Sequence, residues 1–185
     1  MSGVAAGLGI LLLGGVVLFL AVTTFNSVVN LRQQIDKAWA NIDVALQQRH
    51  DELPRLVDAV RGVMEFERDT FTAVAQARAH YDRTAPIPAQ AATSRETTAA
   101  VAALLNVVER YPQLASHENA IDLQREIARL EGVLADRREV YNDSVYRYNT
   151  RIRTFPTNML ASMFGWQQRP FFSAPDAAGP PPQVL

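Results

Sequence analysis

Cysteine is absent from the 185 residues. That excludes a disulfide framework, thiolate zinc, iron–sulfur ligation, a thiol nucleophile and a lipoprotein anchor cysteine. Lysine is nearly absent, Lys37 being the single example, so arginine carries the positive charge and brings forked pairing to carboxylates. Excess charge is missing too: 18 basic against 19 acidic residues leave no basic face for nucleic acid to be read from composition. There is no Gly-rich phosphate loop and no Gly-x-Ser-x-Gly elbow. None of His50, His80 and His117 follows a Glu by three residues, so the Glu-x-x-His pairs of a di-iron bundle are missing. The expectation is a protein with no catalytic, cofactor-binding or metal-ligating residues, and not an enzyme.

What the sequence does have begins with an apolar run. No side chain before Arg32 is charged, and Val4 to Thr24 is unbroken apolar or small. At about 1.5 Å rise per residue such a helix spans roughly 30 Å, the hydrocarbon thickness of a bilayer. A cleaved signal peptide is the competing reading, but the basic n-region and small-x-small cleavage site are lacking. A transmembrane anchor over 1–25 is therefore expected. Between Gly15 and Pro54 there is neither Gly nor Pro, and apolar residues recur at helical spacing through Val28, Ile35, Trp39, Ile42 and Leu46. The anchor should then run without a flexible tether into the first helix of the domain. Arg32 and Lys37 close behind the run favour a cytoplasmic C-terminal side.

A second helix follows from Leu53 through Leu56, Val57, Val60, Met64, Phe71 and Val74. Periodicity stays in phase across Pro54, so a kinked helix and a hairpin both fit; the cost of an interior proline favours a break near 50–53. Pro86 and Pro88 mark a loop, after which Thr93 and Glu96 form a capping-box pattern for a third helix ending at Pro112. The fourth is the strongest: Leu123, Ile127, Leu130, Leu134, Tyr141, Val145, Tyr148, Ile152 and Phe155 recur at steps of three and four, with only the 137/138 level polar. Four such helices predict an all-α, antiparallel up-and-down bundle over 26–172, on a single-pass transmembrane helix continuous with its first helix. On that register residue 39 is level with about 141, and residue 25 with about 155. The Pro- and Ala-rich segment 173–185 should be disordered.

Those pieces together carry a resemblance. The apolar start, "FNSVVNLRQQIDKAWANIDVALQQRHDELPRLVDAVRGV", "LLNVVERYPQLASHENAIDLQREIARLE", "YNDSVYRYNTRIRTFPTNMLASMFGW" and "RPFF", in this order, resemble the LemA family. The resemblance covers nearly everything from residue 4 to 172. Phe25 stands where the family commonly has Tyr, and the stretch 84–93 looks idiosyncratic. It implies a four-helix-bundle domain on a single-pass anchor in the bacterial cytoplasmic membrane, with the short N-terminus outside and the domain in the cytoplasm. It implies no reaction.

Three groups of residues are candidates for function. Trp39, Ile42, Tyr141, Val145, Tyr148 and Phe155 lie on the core stripes; the packing reading is favoured for Trp39 and Tyr141 over a small polar pocket. Tyr141–Asn142 and Tyr148–Asn149 repeat at a spacing of seven, which is one helix showing the same face twice, with the amides free to bridge to a neighbouring helix. After Pro156, Met159, Met163, Phe164, Trp166, Phe171 and Phe172 form a candidate membrane interface; they either dip into the bilayer surface or fold back under the bundle as a plug. The expected partners are the lipid bilayer, unidentified membrane or cytoplasmic proteins and a second copy of the chain. A membrane-anchored scaffold or interaction module is the leading reading, a regulatory subunit of a membrane enzyme or protease the second, and an enzyme or ligand-binding bundle using the Trp39–Tyr141 level the third.

Overall fold

The computed structural model describes residues 2–59, 67–111 and 118–172. These residues contain five helices and no strand: α1 Ser2–Ala59, α2 Arg68–Ala79, α3 Ile87–Arg110, α4 Glu118–Arg153 and α5 Thr157–Phe164. The positions Val60 and Met64, His117 and the segment 173–185 lie outside them. The chain divides into two compact units, one of Met1–Lys37 with Asp143–Arg169, the other of Ala38–Asn142 with Pro170–Leu185.

The break expected near 50–53 does not occur, because α1 runs through Pro54 to Ala59. An interior proline costs about 3 kcal/mol. Leu53 and Leu56 on either side of it are 2% and 1% exposed, and burying a leucine is worth about 1.5–3 kcal/mol each. Keeping the stripe in phase therefore outweighs the lost hydrogen bond. The start of α3 also differs from expectation. It begins at Ile87, with Thr93 inside the helix, since Pro86 and Pro88 fall where the first-turn donors have no intrahelical partner anyway. The amides of Ala89 and Gln90 both donate to Pro86 O.

In the second unit, α2 and α3 pack Phe71, Val74 and Ala77 with Val101, Leu104 and Val108 into a core that Leu53, Leu56 and Ile127 complete. The turn between these helices is held by Asp82, whose Oδ1 accepts from the Thr84 N–H at 2.8 Å and hydroxyl at 2.7 Å. Those bonds keep its carboxyl below the usual range. Arg83 forks onto Asp43 of α1.

In the first unit, the large apolar side chains of α1 from Leu8 to Val22 are at least half exposed, from 50% to 74%. It is a helix long and apolar enough to cross a membrane. Further along, Val28 and Ile35 are buried, as are Val145, Tyr148 and Ile152 of α4. Phe155 is 73% exposed, contrary to its expected place in the core. The reason is local: α4 ends at Arg153 and the chain turns at Thr154–Pro156, which takes Phe155 out of the helical register. Helix α5 stops at Gly165, whose φ of 64° suits a residue without a Cβ and lets the Trp166 N–H close on Ala161 O at 2.9 Å.

Beyond Gly165 the chain is extended, and α4 holds it. Tyr148 donates its hydroxyl to Gln167 O at 3.0 Å. Asn149 pairs with Arg169 as a strand would, its Nδ2 donating to the carbonyl and its Oδ1 accepting from the N–H, both at 2.9 Å. Asn149→Ala should destabilise the folded protein by about 2 kcal/mol, roughly 1 per lost bond, with Asn149→Asp intermediate because it keeps the acceptor; chemical denaturation monitored by circular dichroism measures both.

Candidate functional site

The second unit contains the same clamp once more. Tyr141 donates to Pro170 O at 2.9 Å, while Asn142 gives its Nδ2 to Phe172 O at 2.9 Å and accepts the Phe172 N–H at 2.8 Å. The Tyr–Asn repeat thus grips the main chain of an extended segment, where a neighbouring helix had been the expected partner. Phe172 is drawn to 1% exposure, beside Trp39 at 6.0 Å between ring centroids. Trp39, partly buried, meets Tyr141 edge-on at 5.7 Å, as the antiparallel register of residues 39 and 141 predicts.

Behind Phe172 lies a polar cluster built from three helices, with Arg49 and Ser94 buried and Thr98, Glu131 and Arg138 part-buried. Arg49 of α1 is 3% exposed. Its Nη1 donates to Glu131 Oε1 of α4 at 2.8 Å and to Thr98 Oγ1 of α3 at 2.9 Å; its Nη2 donates to Ser94 Oγ at 2.8 Å and Ser94 O at 3.2 Å. The Thr98 hydroxyl in turn donates to Glu131 Oε2 at 3.1 Å. A second guanidinium, Arg138, donates to the same Ser94 hydroxyl at 2.6 Å and lies 5.2 Å over the Phe172 ring. Burial, and then the charge of Arg49, lower the pKa of Arg138, which Glu131 opposes. Arg49 pairs with Glu131 and Trp39 with Tyr141, so α1 and α4 run in opposite directions within this unit.

A cavity of about 10 Å³ adjoins the cluster, lined by Arg49, His50, Tyr81, Gln90, Ser94 and Thr97 among others. It admits one water at most. Gln90 donates to the carbonyls of Arg83 and Ala85, tying the turn down. His50 stacks on Tyr81 at 4.6 Å. Burial, followed by the charge of Arg78, lowers the His50 pKa below 6.5, with Asp51 opposing. A hollow of about 240 Å³ elsewhere in this unit is lined mostly by apolar side chains, Leu53, Val57, Phe71 and Val74 among them, with Asp58 and Arg78 as its charged members. No group of three or more His, Asp or Glu placed to hold a metal occurs among the described residues.

Of the core residues named from sequence, Ile42, Tyr141, Val145 and Tyr148 are buried. The candidate interface residues divide. Met159, Met163, Phe164 and Phe171 are exposed, whereas Phe172 is buried and Trp166 lies partly buried against Phe25 and Phe164. Folding back as a plug holds for Phe172 and not for the exposed Met159, Met163, Phe164 and Phe171. Among the acidic residues, Asp36 pairs with Arg169, Asp43 with Arg83 and Glu126 with Arg129. Sequence reading missed Arg49, Ser94, Thr98 and Glu131 as a cluster. Its signals were Arg49 falling on the stripe between Leu46 and Leu53, and the polar level at 137/138 that interrupts the α4 seam.

The LemA family model matches residues 38–185. The chain belongs to the LemA family. Two relatives, the magnetosome proteins MamQ 1 and MamQ 2 of Paramagnetospirillum magneticum, are each 32% identical over 82 residues, which is 44% of this LemA-family chain and 30% of theirs. A third, protein LemA of Metamycoplasma hominis, is 25% identical over 152 residues, 80% of this chain and 68% of the relative. The chain therefore spans under a third of the length of the magnetosome relatives it matches.

Two outcomes test the cluster. Glu131→Ala leaves the buried Arg49 charge unpaired and should cost about 3 kcal/mol, while Arg49→Met, which removes the charge and keeps the volume, should cost clearly less; urea unfolding compares them. For His50, the lowered native pKa means the unfolded chain binds the extra proton more readily. Stability should thus be fully present above pH 6.5 and decline as the pH falls below it, and His50→Gln should flatten that part of a melting-temperature profile.

Proposed function

We propose that this chain is a membrane-anchored helical scaffold, a protein-interaction module without a catalytic centre. Its soluble part is an antiparallel up-and-down four-helix bundle, carried on a single pass of the bacterial cytoplasmic membrane with the N-terminal end of the span outside and the bundle in the cytoplasm. One observation supports this most: the buried Arg49 and Ser94 and the part-buried Thr98, Glu131 and Arg138 bond to one another beside a cavity of about 10 Å³, so they join helices and leave no room among them for a substrate. The apolar α1 supports anchoring. Arg32 and Lys37 after the apolar run support the cytoplasmic side. An 82-residue stretch shared with proteins named for the magnetosome supports a module used in more than one protein.

Affinity purification of the tagged full chain from detergent-solubilised membranes, with quantitative mass spectrometry, tests the role. Self-association or several substoichiometric partners is the expected result. A single stoichiometric enzyme would replace the scaffold reading with that of a regulatory subunit. A periplasm-active reporter fused after Leu185 should be silent; activity there would reverse the orientation.

A further inference from the structure

The first unit brings together three features that no single stretch of sequence shows. Helix α5 carries an outward apolar face, Met159 at 64% and Met163 at 70% exposure, one turn apart. The end of that helix is fixed to α1 directly below the apolar run: Phe164 lies edge-on to Phe25 at 5.2 Å, and Trp166 lies 5.6 Å from the same ring. The third feature is charge. Six basic side chains (Arg32, Lys37, Arg147, Arg151, Arg153 and Arg169) share this unit with two acidic ones, Asp36 and Asp143. Both acids are taken up by arginines, Asp143 by Arg147 at 2.8 Å and Asp36 by Arg169 at 3.7 Å. Arg32, Lys37, Arg151 and Arg153 are left exposed, with no ion pair among the described residues.

From this we infer that α5 is an in-plane helix seated on an anionic bilayer surface, with Met159 and Met163 at the acyl boundary and Arg151 and Arg153 on lipid phosphates. The inference rests on the reading of α1 as a membrane span. Phe25 immediately follows the apolar run Val4 to Thr24, so its contacts hold the end of α5 where α1 leaves the hydrocarbon. Amphipathic helices bind such surfaces through buried apolar area plus attraction to anionic lipid. A second copy of this unit is a poorer occupant, since it carries the same uncompensated positive charge and would repel. The charge of the whole chain, −1, conceals this; the basic excess belongs to the unit that contains the apolar helix.

The cysteine-free chain allows a direct test. Nitroxide labels are placed singly at Met159→Cys, Leu13→Cys and Ala135→Cys in the full chain, reconstituted into phosphatidylcholine vesicles with and without phosphatidylglycerol. Collision with oxygen and with a water-soluble nickel chelate then reports depth. The expected result is a label at 159 shielded from nickel in anionic vesicles, like that at 13 and unlike that at 135. Adding R151Q and R153Q should lower the docking equilibrium constant about 25-fold, at roughly fivefold per arginine near an anionic surface, with helicity by circular dichroism unchanged. Nickel access at 159 equal to that at 135, with 13 still shielded, overturns the inference and leaves the anchor intact; access at 13 overturns the anchor as well. Shielding equal in purely zwitterionic vesicles overturns the anionic assignment, and shielding lost on dilution to one chain per vesicle assigns the face to a second copy.

Discussion

A guanidinium taken out of water must have its donors satisfied, and Arg49 obtains its acceptors from two other helices. Ser94 and Thr98 come from α3 and Glu131 from α4, so this one side chain fixes the longitudinal position of both against α1. Apolar stripes alone tolerate sliding by a turn, because one leucine resembles the next. A buried charge does not, since a slip would strand it. Arg138 adds to the constraint by sharing Ser94 and covering Phe172, which links the cluster to the C-terminal segment within the same unit.

The tyrosine–asparagine pairs solve a different problem. The extended residues after Gly165 have backbone amides and carbonyls with no helix or sheet to satisfy them. Each asparagine supplies both a donor and an acceptor in the geometry of a peptide group, and each preceding tyrosine satisfies one more carbonyl. The heptad spacing places one such set in each unit. What looked in the sequence like a duplicated site is a duplicated fastening.

The parts of the fold that were legible are those set by long periodicity: the apolar start of α1, its passage into the domain, and the seam of α4 through Tyr141, Val145 and Tyr148. The contact of Trp39 with Tyr141 was legible too, because antiparallel helices advance equally per residue. What failed were local rules outweighed by burial or by position. Pro54 stays helical because Leu53 and Leu56 are buried beside it, and Pro86 and Pro88 open α3 because first-turn donors have nothing to lose. Phe155 continues the seam in sequence but lies past the last turn of the helix. The division of the aromatic C-terminal residues could not be read at all, since it depends on asparagines 20 and 30 positions earlier that show only as polar residues beside a seam.

The fastening also sets what this segment can become. Asn142 and Asn149 bond only to main-chain atoms, so the hold on residues 167–172 places no demand on the side chains of Gln167, Gln168 or Phe171. Those positions are free to diverge as long as the backbone keeps its path. Proline is the exception at Arg169 and Phe172, whose N–H groups are the ones received by the two asparagines. At Pro170, which supplies only a carbonyl to Tyr141, proline is harmless. The segment thus has the tolerance of a strand in a sheet: variable in what it displays, restricted where it donates and where the Phe172 ring is buried.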